Sequence, residues 1–170
     1  MKKSFLSLVM AMFTVSFLVS CGGNEEKKST ADEYKVTETP AEAPAATIAI
    51  TVNADDAMKF DVKEITVYAG QEVTLTLNHV GKATKAVMGH NLVILKPGVV
   101  MADFAAKAAK PDAVDHIPAG SEGDIIAHTK MLGGGESDTI TFTAPEKGEY
   151  DFLCSFPGHY AMMKGKFIVK

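Results

Sequence analysis

The sequence predicts an all-β fold, an antiparallel sandwich of about eight strands with one short external helix, and three observations carry that expectation. Short runs rich in Val, Ile, Thr, Phe and Tyr recur throughout residues 47–170. Gly, Pro, Asp and Asn punctuate them, the pattern of strands joined by turns in a two-sheet sandwich. Only one stretch of the same region carries helical spacing.

Taken in order, residues 47–52 alternate apolar and polar, and residues 60–67 form a second run. In residues 72–77, Val73, Leu75 and Leu77 share one face, so this strand is half-buried. Residues 91–95 are almost continuously apolar, as expected of a strand covered on both faces. Residues 124–128, 139–143, 149–153 and 166–170 complete the set. From Val99 to Lys110 the chain is Ala-rich, with Val100, Phe104 and Ala108 at helical spacing and Pro111 to stop it. That predicts a short helix packed outside the sandwich, with a mobile flap as the alternative.

At 170 residues and 46% hydrophobic, the chain has enough apolar material for one well-packed domain. All seventeen basic residues are Lys and the net charge is −4. Without Arg or a basic block, nucleic acid is excluded as a partner class. No motif points to a small-molecule substrate.

Residues 1–21 read as an export signal, with Lys2 and Lys3 before an apolar run from Phe5 to Val19. The ending Leu18-Val19-Ser20-Cys21 resembles the lipobox of bacterial lipoproteins, which implies a lipidated Cys21. An ordinary cleaved signal or an uncleaved anchor is the alternative. Residues 22–46 are Gly, Asn, Glu, Lys, Ser, Thr, Pro and Ala with few bulky apolar groups, a flexible tether. About 25 such residues reach roughly 28 Å. The folded domain is then residues 47–170, in an exported protein of the periplasm or cell envelope held to a membrane by its lipid.

With Cys21 lipidated, Cys154 is the only thiol left. A metal bond explains why an exported protein keeps one unpaired cysteine. Four residues separate Cys154 from His159, three separate His159 from Met163, and Pro157-Gly158 turns the chain between two β-type runs. Thiolate, imidazole and thioether, with a second imidazole, are the donors of a blue-copper electron-transfer site. His90, in Val87-Met88-Gly89-His90-Asn91, is the candidate for the second imidazole; Met162 and Met163 compete as thioether.

Three stretches, Val87-Met88-Gly89-His90-Asn91, Ile126-Ala127-His128-Thr129-Lys130 and Cys154-Ser155-Phe156-Pro157-Gly158-His159, resemble the azurins, small cupredoxins. The resemblance runs from about Ile48 to Lys170 and implies a Greek-key sandwich with one type 1 copper at one end. It assigns His90, Cys154 and His159 as trigonal ligands, selects Met163 as the long axial ligand and offers the Gly89 carbonyl opposite. Asn91 would tie the two ligand loops together, and the Phe156 amide would donate to the Cys154 sulfur. Met58, Met88, Pro157, Gly158, Ala161 and Met162 would surround the exposed edge of His159, with Lys82 and Lys85 at the rim. The implied activity is one-electron transfer between redox proteins of the respiratory or envelope chain, without substrate turnover.

Two positions depart from the azurin pattern. Leu92 stands where azurins carry a tryptophan, and no cysteines near Ile48 and Gly70 supply the usual disulfide. His79, at a strand end, resembles a buried titrating histidine of azurins, though a plain core histidine fits as well. His128 is expected on the surface and His116 in a loop. Two other function classes compete: copper storage, delivery or zinc binding at the same ligands, and an enzyme with Cys154 as nucleophile and His159 as base.

Overall fold

Alternation of apolar and polar side chains sorts this chain into two sheets. The computed structural model describes residues 45–170, so the expected signal, Cys21 and the tether up to residue 44 lie outside the described residues. The strands are β1 (Thr47–Asp55), β2 (Lys59–Phe60), β3 (Glu64–Val67), β4 (Glu72–His79), β5 (Val93–Leu95), β6 (Ile125–His128), β7 (Ser137–Thr143), β8 (Gly148–Leu153) and β9 (Lys164–Val169). Helices α1 (Lys85–Met88) and α2 (Met101–Ala108) and a single 3-10 turn (His159–Ala161) complete the described secondary structure.

One sheet has the order β2-β1-β4-β7 and the other β3-β9-β8-β5-β6. Val52, Val73, Leu75 and Leu77 from the first meet Ile65, Phe152, Phe167 and Val169 from the second in one core. In β4 every second side chain is buried, from Val73 through Leu75 and Leu77 to His79. The same period that builds the core therefore delivers a histidine to its end.

The expected strands are present, with two differences. Two pairings, β1 with β4 and β3 with β9, are parallel rather than antiparallel. The run at residues 60–67 is two strands in different sheets: Phe60 ends β2, and β3 begins at Glu64. The apolar positions Phe60 and Val62 are two apart, as are Ile65 and Val67, but Val62 and Ile65 are three apart. That slip of phase is where the chain crosses between sheets. The sandwich also starts slightly before residue 47, since Ala45 O accepts from Gln71 Nε2 at 2.6 Å and Ala46 O from the Glu72 amide at 3.0 Å.

The expected helix is α2, within residues 99–110. Phe104, Ala105 and Ala108 are buried against Val93, Leu95 and Leu153, while Val100 caps its start and is 58% exposed. Apolar contact along one stripe holds this helix on the sheet as a packed element, not a flap.

Without a disulfide among the described residues, stability rests on packing, and Phe152 is wholly buried between the sheets with its ring 5.8 Å from that of Phe60. Phe152→Ala should cost about 3–5 kcal/mol in urea denaturation. A loss below 1 kcal/mol would contradict this packing.

Candidate metal centre

Three loops converge at one end of the sandwich, and each is pinned by backbone hydrogen bonds. His90 forms a two-way bridge with Leu132, donating to its carbonyl at 3.0 Å and accepting from its amide at 2.8 Å. Cys154 follows β8, and its amide donates to Met163 O at 2.9 Å. Gly158 at φ +83° lets the chain turn directly into the 3-10 turn, where the Met163 amide donates to His159 O at 2.8 Å. Cys154 and Met163 are thus neighbours across the mouth of a loop closed on itself.

Those constraints bring the donors together. The Cys154 sulfur lies 3.9 Å from His90 Nδ1, 3.7 Å from His159 Nδ1 and 3.8 Å from Gly89 O. One ligand atom from each of His90, Cys154 and His159 lies within 4.8 Å of the others. Thiolate and imidazole donors roughly 2.0–2.3 Å from a shared ion in a trigonal array stand about 3.7 Å apart, so the donor set fits one ion. Cys154, Met163 and His90 have no solvent exposure and His159 has 4%. Met163, not Met162, is buried with Cys154; Met162 is 50% exposed.

The surroundings prepare these groups for a metal. His90 Nε2 lies 2.9 Å from Asp55 O. That carbonyl can only accept, so the proton sits on Nε2 and Nδ1 presents its lone pair to the sulfur. Burial pushes the Cys154 thiol up to about 11, while the backbone amides of Asn91 and Phe156 donate toward the sulfur and pull it back. His159 is depressed to about 4, first by burial and then by His90 and His116. His90 is also lowered, chiefly by burial, with its bond to Asp55 opposing. A buried sulfur that is costly to ionise, facing two imidazoles that resist protonation, wants a cation.

Asn91 bridges the two ligand segments. Its Oδ1 accepts from the Ser155 amide at 2.9 Å, and its Nδ2 donates to Ser155 Oγ at 2.8 Å. Ser155 Oγ in turn donates to His116 O at 2.7 Å, binding the loop after α2 to the same centre. Gly89 has no room for a side chain, because a Cβ would meet Lys85 O at 2.6 Å, Met131 Sδ at 2.8 Å and Phe156 Cδ2 at 2.9 Å.

At the surface, Pro157, Gly158, Ala161 and Met162 are exposed, whereas Met58 and Met88 are half-buried, with Met58 packed against the core. Pro157 and Phe156 also line a cleft of about 500 Å³ with Lys85, Ala86, Ala113, Asp115, His116 and Met131. His79 is buried and stacks on His90 at 4.5 Å between centroids. Its Nδ1 accepts from the Gly81 amide at 3.1 Å, leaving Nε2 to donate to Met88 O at 2.8 Å. His116 lies in the loop after α2, as expected, edge-on to Phe156 at 5.1 Å, and His128 is exposed on β6.

Sequence reasoning missed the Asp55 carbonyl, the Asn91 amide, Ser155 and Met131. The burial of His79, which the azurin resemblance implied, also follows from carrying the Val73-Leu75-Leu77 alternation one step further.

Comparison with known proteins gives a consistent picture. Residues 46–170 match the family described as copper binding proteins, plastocyanin/azurin family. Azurin-2 of Alcaligenes xylosoxydans xylosoxydans is 47% identical over 119 residues, covering 68% of this chain and 92% of that protein. The outer membrane protein H.8 of Neisseria meningitidis serogroup B is 43% identical over 126 residues, covering 72% of this chain and 67% of that protein. Among solved structures, dithionite-reduced auracyanin from Roseiflexus castenholzii is 41% identical with a TM-score of 0.65, covering 75% of this chain and 99% of that one.

Two outcomes follow for the metal-free protein. His159 drops from 6.5 to about 4 on folding, so its share of stability is complete above pH 6.5 and is lost as pH falls from 6.5 toward 4. Cys154 rises from 9.0 to about 11, so its share is complete below pH 9 and is lost as pH rises toward 11. Urea midpoints measured across this range should show a plateau with both shoulders; a flat acid limb would refute the buried, uncharged His159. Asn91→Ala strands the buried Ser155 amide without an acceptor and should cost about 1–3 kcal/mol in the same assay.

Proposed function

The chain belongs to the plastocyanin/azurin family of copper-binding proteins, and from that membership we propose that it carries single electrons between redox proteins of the cell envelope. The fold is the cupredoxin sandwich and the cofactor one type 1 copper. The observation that carries the reading is the convergence of His90, Cys154 and His159 on one point, with Cys154 0% exposed. His90, Cys154 and His159 would hold the ion, with the Met163 thioether and the Gly89 carbonyl as weaker donors. When bound, copper supplies a one-electron couple, Cu(II)/Cu(I).

The chain's own residues supply the rest. The Asp55 carbonyl fixes the His90 tautomer, and the Asn91–Ser155 bonds fix the spacing of the two loops. The Asn91 and Phe156 amides stabilise charge on sulfur and so tune the balance between oxidation states. Burial excludes water. Because the donor-bearing loops are pinned by backbone bridges and by the Asn91–Ser155 bonds, the ligand atoms have little freedom to shift. His159, the least buried of the three, offers the route outward beneath Pro157, Gly158, Ala161 and Met162. A small apolar surface ringed by adaptable methionine suits brief encounters with redox partners.

Nucleophilic catalysis is disfavoured by the same chemistry. A fully buried thiol raised to about 11 is a poor nucleophile, and an imidazole lowered to about 4 is a weak base. Location in the periplasm or envelope, with attachment through a lipidated Cys21, belongs to this proposal. The export-type start of the sequence supports it, as does the kinship with an outer membrane protein.

Protein loaded with Cu(II) should bind one ion and turn intensely blue through a thiolate charge-transfer band. Cys154→Ser should abolish the colour. Reversible reduction without metal loss separates a carrier from a storage or delivery protein; colourless copper-loaded protein, or release of the ion on each reduction, overturns the reading.

A further inference from the structure

The turn between β1 and β2 touches the metal centre twice, through adjacent residues. Asp55 presents its backbone carbonyl to His90 Nε2 at 2.9 Å, while its side chain takes the Ala57 and Lys59 amides at 2.9 and 3.2 Å and shapes the turn. Asp56 points the other way. Its carboxylate accepts the Lys82 amide at 2.8 Å and the Ala83 amide at 3.2 Å, both in the segment that leads through α1 to Gly89 and His90.

Gly81 makes this contact possible. A Cβ there would occupy the space of the Asp56 carboxylate itself, so only glycine admits it. The held segment is also tied to the protein by Ala83 O, which accepts from the Gly134 amide at 2.8 Å, and by the Gly81 amide on His79. Apart from the His90 ring on Asp55 O, the Asp56 carboxylate makes the side-chain hydrogen bonds that join the β1–β2 turn to this segment, and it also lies 3.9 Å from His79 Nε2. The remaining link nearby is the Val80 amide on Ala54 O at 2.8 Å, before the segment starts.

We propose that Asp56 is a positioning residue for the metal centre: by clasping the Lys82 and Ala83 amides it fixes the β1–β2 turn against the segment carrying His90, and so keeps the Asp55 carbonyl on the His90 ring. A ring held by one carbonyl keeps its orientation only while the two backbones that bear them stay in register. Asp56 touches no ligand, and its carboxylate, bonded to two amides, is the side-chain clasp between those backbones. An ionised carboxylate is the strongest acceptor available for two backbone N–H groups at once. This inference rests on His90 being a copper ligand.

Four proteins test it: the wild type, Asp56→Ala, Gly81→Ala, and Asp61→Ala as a control. Asp61 accepts bonds from Asn53 in β1 and makes no hydrogen bond to residues 80–90. In the metal-free proteins, hydrogen exchange at the Lys82 and Ala83 amides and at His90 Nε2 is followed by NMR; copper affinity is measured by competition with a chelator. Asp56→Ala and Gly81→Ala, which break the clasp from opposite sides, should each speed exchange at His90 Nε2 and weaken copper binding by about tenfold. Asp61→Ala should change neither. Unchanged His90 exchange and copper affinity in both clasp variants, with lowered urea stability alone, would reduce Asp56 to a structural role and overturn the inference. A wild type that takes up no copper would instead overturn the proposed function, which the metal-free exchange data would leave distinguishable.

Discussion

A thiol and two imidazoles must be kept together in a dry space before any ion binds them, and the architecture of this end of the sandwich answers to that demand. Polar groups lose water when buried and recover the cost only through well-placed partners. Here the partners are backbone groups: Leu132 for the His90 main chain, Asp55 for its ring, Asn91 and Phe156 amides for the sulfur. No buried side-chain nitrogen or oxygen among the described residues lacks a partner. The sulfur, faced by two backbone amides and two imidazole nitrogens, is the atom placed to bond a metal.

The network reaches beyond the donors. Asn91 and Ser155 join the two ligand segments, and Ser155 passes the connection on to His116 and hence to the loop after α2. A run of rings follows the same line, from His116 to Phe156 at 5.1 Å, to His159 at 4.5 Å, to His90 at 5.1 Å and to His79 at 4.5 Å. Packing of this kind resists rearrangement, because moving any one ring requires its neighbours to move. Rigidity at the centre is therefore a property of the whole end of the molecule rather than of four side chains.

Much of this was legible in the sequence. The Cys154, His159 and Met163 spacing, with turn residues between two apolar runs, marks a donor loop, and alternation in β4 and continuity in β5 mark core strands. Helix α2 was visible in the placing of Phe104 and Ala108. Backbone contributions were not visible, since a carbonyl at Asp55 or an amide at Asn91 belongs to every residue type and leaves no signature. The two parallel pairings escaped for a related reason: strand order depends on long-range burial, which local alternation does not encode. The crossing at residues 61–63 left a trace, the three-residue step from Val62 to Ile65, whose meaning is plain only once both sheets are known.

The direction of β1 has a further consequence. This strand runs from Thr47 to Asp55, and Asp55 already touches His90, so the chain enters at the far end of the body, roughly 26 Å of extended backbone away. The first described residues and the metal centre therefore lie at opposite poles of the sandwich, so the surface around His159 is left unobstructed by the point at which the chain joins the sheet.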